Sequence, residues 1–136
     1  MKKEKSLVIG CGRFGANVAH YKSSNGFDCL IVDQDARSFR KLDVNFSGYK
    51  VVGDATDLDF LENQCDIKNI DEIIITTNND NVNLYISHVA YHIYHIENVY
   101  VRFNDVDKGL LVKDTKIKVI YPFHLSMEEF LRLEAK

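Results

Sequence analysis

Three glycines near the start of the chain follow the spacing Gly-x-Gly-x-x-Gly, at Gly10, Gly12 and Gly15. Between a strand and a helix, the first glycine allows a tight turn, the second lets a pyrophosphate approach the backbone, and the third lets the helix pack closely against the strand. The free N–H groups and the positive end of the helix then attract phosphate oxygens. The alternative is a glycine-rich turn without a ligand. The predicted phosphate-binding residues are Gly10, Cys11, Gly12, Arg13, Phe14 and Gly15.

Asp33 is the second candidate, because it ends an apolar run and follows Gly12 by about 20 residues, the spacing expected of a ribose-binding carboxylate. Its carboxylate can accept hydrogen bonds from the 2′ and 3′ hydroxyls of an adenosine ribose, each contributing about 1.5–3 kcal/mol. A 2′-phosphate about 4 Å away would instead cost on the order of 4 kcal/mol per charge pair at an effective dielectric constant of about 20. NAD(H), ATP, ADP and AMP are therefore favoured over NADP, although Arg37 reduces the repulsion. Alternatively, Asp33 only caps the end of the strand.

Polar residues also follow the third, fourth and fifth apolar runs. In a sheet of parallel strands joined by helices, the carboxyl ends of the strands border the ligand crevice. Asp54 and the backbone of Ala55 could contact the edge of an adenine, or they could form a plain turn. The residues after the fourth and fifth runs could contact phosphate or the distal half of the ligand, or they could belong to ordinary solvated loops. These candidates are Gly53, Asp54, Ala55, Thr76, Thr77, Asn78 and Arg102.

Six short apolar runs alternate with amphipathic stretches along the chain. The runs are continuous rather than alternating in polarity, which is typical of strands buried on both faces of a parallel sheet. With right-handed crossovers, this pattern predicts a Rossmann-type, doubly wound α/β fold whose six parallel strands have the order 3-2-1-4-5-6. The predicted strands cover residues 7–9, 29–32, 49–52, 73–75, 99–101 and 117–121.

Helical periodicity and capping residues predict the helices between these strands. Thr56 is expected to cap the third helix, with Asp59 at the capping-box position. Ser126 and Glu129 form a Ser-x-x-Glu capping box, which predicts an extra C-terminal helix of about ten residues. The first predicted helix begins in the glycine motif. The next three cover residues 37–44, 57–65 and 81–95, and a short helix is predicted near Leu110 and Leu111.

The composition is that of one globular domain and excludes several classes of function. The chain has 136 residues, of which 46% are hydrophobic and 27% charged, and its net charge is −3. The lysines and arginines are scattered, so no basic face for nucleic acid is indicated. No apolar run approaches the roughly 20 residues of a membrane helix, and no signal-peptide pattern follows the charged start. We expect a cytoplasmic protein that is not itself embedded in a membrane.

Two further features permit chemistry that the sequence does not favour. His88, His92 and His95 share one helical face, but no His-Glu-x-x-His motif accompanies them, so we expect a packing or interface face rather than a metal site. Cys11 at a helix N-terminus could have a lowered pKa and act as a redox sensor, or it could simply fill the turn. The three cysteines lie far apart in the sequence, which argues against a disulfide framework.

Together these residues resemble the N-terminal nucleotide-binding domain of potassium-transport regulators, the family called RCK, KTN or TrkA-N. The resemblance covers roughly residues 5–122 and rests on the glycine motif and four later segments. These segments are Asp33-Gln34-Asp35, Gly53-Asp54-Ala55-Thr56, Thr76-Thr77-Asn78 with Asn83, and Val101-Arg102. The glycine motif and Gly-Asp-Ala-Thr are fairly specific in combination, whereas either alone is not. By this resemblance Gln34 joins the predicted nucleotide-binding residues.

The resemblance implies a cytosolic homodimer, or a higher oligomer, that controls a membrane potassium channel or transporter according to bound NAD(H) or ATP/ADP. Such a protein lies at the inner face of the cell membrane through its partner. The resemblance also implies a nucleotide-binding domain over residues 1–122 and a C-terminal helix over 123–136 that crosses to the partner subunit near Phe130. Family members usually continue into a second ligand-binding lobe, whereas this sequence stops at Lys136. We therefore expect that lobe to be absent or carried by another chain.

The sequence leaves three functions to compare. The first is a regulatory nucleotide sensor without turnover, in which one nucleotide state favours one dimer geometry. The second is an NAD-dependent oxidoreductase reduced to one domain. Hydride transfer needs a substrate pocket and an acid–base group, and about fifteen residues after the sixth strand are too few to build them. The third is an interaction module whose nucleotide is purely structural. We favour the first and do not expect an enzyme.

Overall fold

All six predicted strands are present in the computed structural model, which describes residues 2–135. The strands are β1 (Lys5–Ile9), β2 (Asp28–Asp33), β3 (Tyr49–Val52), β4 (Glu72–Ile75), β5 (Asn98–Arg102) and β6 (Lys118–Ile120). They form one parallel sheet with the order β3-β2-β1-β4-β5-β6, which confirms the predicted doubly wound arrangement. β1 lies between β2 and β4, so its carboxyl end is at the centre of the sheet edge.

Helices cover both faces of this sheet. Over residues 2–135 the α-helices are α1 (Arg13–Ser24), α2 (Leu58–Asn63), α3 (Asp80–His88), α4 (Val106–Gly109) and α5 (Pro122–Glu134). Because successive side chains of a strand point to opposite faces, Val8 lies in one buried cluster with Ala16 and Ala19 of α1. Leu7 and Ile9 lie in the other cluster, with residues of α2 and α3. None of the helices in the described part of the chain is both long and apolar enough to span a bilayer.

The helices after β2 and β4 differ in form from the prediction. The helix expected over 37–44 is instead the 3₁₀ helix Ala36–Lys41, and the side chain of Asp35 caps its beginning. The helix expected over 81–95 is α3 followed by the π-helical turn Val89–Ile93. Periodicity locates such helical segments, but their hydrogen-bond type depends on the packing of their ends.

Asp57 caps α2, so the predicted capping box at Thr56 is wrong. The Asp57 carboxylate accepts a hydrogen bond from the Asp59 N–H at 3.0 Å. The Thr56 hydroxyl instead donates to the Asp54 carboxylate at 2.7 Å. Aspartate and threonine are both good N-caps, so the sequence alone could not decide between the two adjacent candidates.

The C-terminal helix begins at Pro122, so the predicted capping box at Ser126 is also wrong. Proline suits the first position of a helix, because its missing N–H would have no partner there and its φ is already helical. α5 therefore has 13 residues. No residue of α5 is buried, and Phe123, Phe130 and Leu131 are each more than half exposed.

Candidate functional site

A cleft of about 750 Å³ opens at the carboxyl ends of the strands, where the loops after β1 to β5 converge. It lies over β1 and β4, the two adjacent strands from which the strand order proceeds in opposite directions. Doubly wound folds bind ligands at this switch point. Every predicted site residue except Gly15 lines the cleft. The predicted residues that line it are Gly10, Cys11, Gly12, Arg13, Phe14, Asp33, Gln34, Gly53, Asp54, Ala55, Thr76, Thr77, Asn78 and Arg102.

The three glycines of the motif act in different ways. Gly10 has a φ of +99°, and a Cβ on this residue would lie 2.7 Å from the Thr76 carbonyl oxygen. A Cβ on Gly15 would lie 2.0 Å from the Gly10 carbonyl oxygen, so Gly15 lets α1 begin directly against the end of β1. A Cβ on Gly12 would meet nothing within 4 Å. Gly12 therefore leaves open space beside the backbone in the cleft, whereas Gly15 contributes through close packing.

The N-terminus of α1 presents unpaired backbone N–H groups beside this space. The Ala16 N–H makes a hydrogen bond to the Gly12 carbonyl at 2.9 Å. Within residues 2–135, the preceding N–H groups have no acceptor, and the first turn contains no acidic side chain. These N–H groups belong to Gly12, Arg13, Phe14 and Gly15. Together with the positive end of the helix, they can bind the oxygens of an anion.

Asp33 holds the glycine motif in place from the end of β2. One oxygen of its carboxylate accepts from the Cys11 N–H at 2.8 Å, and the other accepts from the Asp35 N–H at 2.9 Å. Each oxygen has a further lone pair, so the carboxylate can also accept hydrogen bonds from sugar hydroxyls. The sequence predicted that Asp33 either binds ribose or caps the end of the strand. Its bond to the motif joins residues far apart in the chain and has no signal in the local sequence.

Asp54 and Gln34 extend the wall of the cleft beyond Asp33. The Asp54 carboxylate accepts from the Thr56 hydroxyl at 2.7 Å and from the Thr56 N–H at 2.9 Å. These two bonds, with a smaller contribution from the Gln34 side chain, hold the pKa of Asp54 below its usual value. This wall therefore carries a negative charge at neutral pH, in addition to that of Asp33.

The loops after β4 and β5 form the opposite wall, which Asn83 organises. The Arg102 guanidinium donates to the Thr77 carbonyl at 2.9 Å and to the Asn78 side chain at 3.1 Å. Asn83 is fully buried and donates to the carbonyls of Thr77 at 3.0 Å and Arg102 at 2.9 Å. It also accepts from the Thr77 N–H at 3.1 Å. The guanidinium is thus oriented through Nη2 alone, and its other N–H groups can bind an anion.

Several residues that sequence reasoning did not select also line the cleft. Ser38 and Lys41 lie on the 3₁₀ helix Ala36–Lys41, and the side chain of Asn79 caps α3. Ser38 and Lys41 could have been predicted from the topology alone, because the segment after β2 lies beside the glycine motif in a doubly wound fold. The other additional lining residues are apolar, and they are Ile9, Val32, Val82 and Ile86.

Cys11 is a packing group, whereas the prediction that His88, His92 and His95 share one helical face is wrong, because His95 lies beyond the π-helical turn with a φ of +53°. Cys11 is buried, and its Sγ donates to the Ser38 carbonyl at 3.3 Å. Burial, followed by the charge of Asp33, raises the pKa of the Cys11 thiol, which is opposite to the lowering that a redox sensor needs. The rings of His88 and His92 stack with their centroids 5.3 Å apart, away from the cleft lining. No group of three metal-ligating side chains occurs among residues 2–135.

The strand order and the glycine motif at the switch point define a Rossmann-type α/β domain. The model of the TrkA-N domain family matches residues 6–122, and the chain belongs to this family. This match confirms the family resemblance drawn from the glycine motif and the four later segments.

Curated relatives of this chain are named as potassium uptake proteins. The chain is 27% identical over 126 residues to the Trk system potassium uptake protein TrkA of Streptomyces coelicolor, an alignment that covers 93% of this chain and 56% of the relative. It is 31% identical over 110 residues to the TrkA homolog of Pyrococcus abyssi, covering 81% of this chain and 48% of the relative. The chain therefore spans about half the length of the curated relatives it matches.

Solved structures share the fold at low sequence identity. The TrkA-N domain of inner membrane protein YbaL from Escherichia coli aligns with a TM-score of 0.82 at 14% identity, covering 97% of both chains. The AMP-bound Kef CTD of Shewanella denitrificans aligns with a TM-score of 0.75 at 22% identity, covering 98% of this chain and 83% of the other. GsuK bound to ADP aligns with a TM-score of 0.76 at 23% identity, covering 96% of this chain and 33% of the other. The GsuK channel bound to NAD aligns with a TM-score of 0.71 at 24% identity, covering 89% of this chain and 21% of the other. These likenesses establish the fold.

Alanine substitutions should separate the roles of Gly12 and Gly15. Gly12→Ala should change the free energy of unfolding by less than about 1 kcal/mol, because the new Cβ has open space around it. Gly15→Ala should lower the free energy of unfolding by about 3 kcal/mol or more, because its Cβ would overlap the Gly10 carbonyl. Urea denaturation followed by circular dichroism measures both values. Equal destabilisation by the two variants would contradict this assignment.

Asn83→Asp should lower the free energy of unfolding by about 2–4 kcal/mol. A carboxylate cannot donate to the carbonyls of Thr77 and Arg102, and its charge would be buried. Asn81→Asp is the matched control, because Asn81 is exposed on the same helix and should change the value by less than about 0.5 kcal/mol. Urea denaturation of both variants is the measurement. Similar stabilities for the two variants would show that Asn83 does not hold this wall.

Proposed function

We propose that this chain is a regulatory domain that binds NAD(H) or an adenine nucleotide (ATP, ADP or AMP) in the cleft and controls potassium transport without turning the nucleotide over. The observation that carries the proposal is the row of unpaired N–H groups of Gly12, Arg13 and Phe14, residues that line the cleft together with Asp33. The N–H groups bind phosphate oxygens, and the carboxylate binds ribose hydroxyls. Together they recognise an adenosine 5′-phosphate, which all of these nucleotides contain.

The structural neighbours and the charges of the cleft support this ligand class. The neighbours bind AMP, ADP and NAD by their names, and these three ligands share the adenosine 5′-phosphate. NADP carries an additional 2′-phosphate, which would lie near the charges of Asp33 and Asp54. Arg37 does not offset this repulsion freely, because its guanidinium is paired with Asp35 at 2.9 Å. NADP is therefore disfavoured.

The relatives supply the transport partner in this proposal. They belong by name to potassium uptake systems, so the proposed partner is a membrane potassium channel or transporter subunit. The domain would then work in the cytoplasm, at the inner face of the membrane. Nucleic acid is not a proposed partner.

The C-terminal helix supplies the proposed contact between subunits. We assign residues 1–122 to nucleotide binding and residues 123–136 to a helix that crosses to a second copy near Phe130, which gives a homodimer or a higher oligomer. The apolar side chains that α5 leaves exposed support this assignment, since a partner surface would remove them from water.

Regulation requires that the nucleotide states differ in their affinity for two dimer geometries, because a ligand that binds both equally shifts nothing. NAD(H), ATP, ADP and AMP differ beyond their first phosphate. That part of the ligand would reach the wall formed by Arg102, Thr77 and Asn78. Any discrimination among the nucleotides is therefore assigned to this wall.

The cleft offers little for hydride transfer, which supports a role in binding rather than catalysis. Within residues 2–135, no histidine lines the cleft. The Asp33 carboxylate is bonded to two backbone N–H groups, and the Thr77 hydroxyl is bonded to Asn83. Among the other groups lining the cleft that could exchange a proton, Asp54 is bonded to Thr56, and Lys41 is a cation available to a ligand.

Calorimetric titration tests the proposed function. We expect micromolar-range binding of at least one of NAD(H), ATP, ADP and AMP, with NADP about 10-fold or more weaker than NAD and no chemical change of the nucleotide. Asp33→Asn should weaken binding by about 10-fold or more, because the ribose loses a charged acceptor. Asp114→Asn, on an exposed residue outside the cleft, is the matched control and should leave binding unchanged. Absence of heat with every nucleotide, or unchanged binding by Asp33→Asn, would contradict the proposal.

A further inference from the structure

Lys41 is an unpaired cation on the wall of the cleft. It is the last residue of the 3₁₀ helix Ala36–Lys41, its side chain is exposed, and it lines the cleft. Within residues 2–135, no carboxylate lies within ion-pair distance of its ammonium group. By contrast, Arg37 on the same helix is already paired with Asp35. Lys41 therefore has a charge available for a ligand.

The 3₁₀ helix that carries Lys41 is fixed to the glycine motif. The Cys11 thiol donates to the Ser38 carbonyl in the middle of this helix at 3.3 Å. Phe39, two residues before Lys41, and Leu42, the residue after it, pack against the buried cluster that contains Cys11. These contacts set the distance between the backbone of Lys41 and the motif, so only the side chain has to move to meet a ligand.

The charge of Lys41 reaches the first turn of the motif. Burial and Asp33 raise the pKa of the Cys11 thiol, and Lys41 is the group that acts in the opposite direction. This electrostatic effect agrees with the position of Lys41 on the cleft wall beside Cys11. Lys41 lines the same cleft as Cys11 and as Gly12, Arg13 and Phe14, whose backbone N–H groups are unpaired.

We propose that Lys41 is a specificity-determining residue that supplies positive charge to the 5′-phosphates of the bound nucleotide. The inference rests on the proposed function, because it assumes a nucleotide in the cleft. Lys41 joins the N–H groups of the glycine motif in favouring phosphorylated ligands over the bare nucleoside. The chemical group it recognises is a phosphate attached to the 5′ carbon.

The charges near Lys41 favour the 5′-phosphate over a 2′-phosphate. A 2′-phosphate would lie next to the sugar, where the carboxylates of Asp33 and Asp54 line the cleft. A 5′-phosphate would lie over the N-terminus of α1, where the backbone itself is electropositive. Lys41 lines the same cleft, and of the two positions only that of the 5′-phosphate is otherwise attractive to an anion.

Calorimetric titration of Lys41→Gln with ADP, 5′-AMP, 2′-AMP and adenosine tests the inference. We expect the dissociation constant for ADP to rise about 5- to 10-fold and that for adenosine to stay unchanged, because only a charge interaction is lost. Arg40→Gln is the matched control, because Arg40 is the preceding residue, has the same charge and is exposed, but does not line the cleft. It should leave both affinities unchanged. Lys41→Arg should restore ADP binding, and the effect of Lys41→Gln should shrink when the salt concentration is raised.

The outcomes separate this inference from the function on which it rests. Wild-type protein that binds none of NAD(H), ATP, ADP and 5′-AMP contradicts both, and if it binds only NAD(H) or ATP, that ligand replaces ADP in the titration. Wild-type protein that binds ADP while Lys41→Gln binds it equally well overturns the inference alone. Equal weakening of ADP and adenosine would show that Lys41 acts on the shape of the cleft and not on phosphate charge. Weakening of 2′-AMP without weakening of 5′-AMP would assign Lys41 to the sugar and would also overturn the inference.

Discussion

The start of α1 lies so close to the ends of β1 and β4 that no side chain fits between them. A Cβ on Gly15 would lie 2.0 Å from the Gly10 carbonyl, and a Cβ on Gly10 would lie 2.7 Å from the Thr76 carbonyl. The close approach brings the start of α1, whose first N–H groups have no acceptor among residues 2–135, to the edge of the cleft. The proposed binding of an anion there depends on this packing of three backbone segments.

Two side chains then fix the walls on either side of this contact. Asp33 ties the end of β2 to the motif through the Cys11 N–H, and Asn83 ties the ends of β4 and β5 together through Thr77 and Arg102. Both side chains bond mainly to backbone groups, so they set the positions of loops rather than of single atoms. The polar residues that face a ligand are thereby held on rigid strand ends, which lowers the entropic cost of binding.

The fold, and the residues that line the cleft, could be predicted because both depend on short-range patterns. Continuous apolar runs identify strands buried on both faces, and right-handed crossovers leave few ways to order them. The details that were wrong or missing depend on contacts in space. Asp57 rather than Thr56 caps α2 because Thr56 is bonded to Asp54, and α5 begins at Pro122 rather than at Ser126.

Lys41 illustrates the same limit within the site. A lysine in the middle of a charged segment has no local signal for ligand binding, and its place on the cleft wall results from the anchoring of a 3₁₀ helix by Cys11. The family match to residues 6–122 adds the expectation of a nucleotide regulator. The structure adds which charges are engaged within the protein and which are available to a ligand.

Amide chemical-shift mapping by NMR during titration with ADP tests the central claim most directly. The account predicts that the largest shifts belong to the amides of Gly12, Arg13 and Phe14, which line the cleft and have no acceptor in the described structure. Saturable binding that leaves these amides unchanged and shifts amides elsewhere would contradict it.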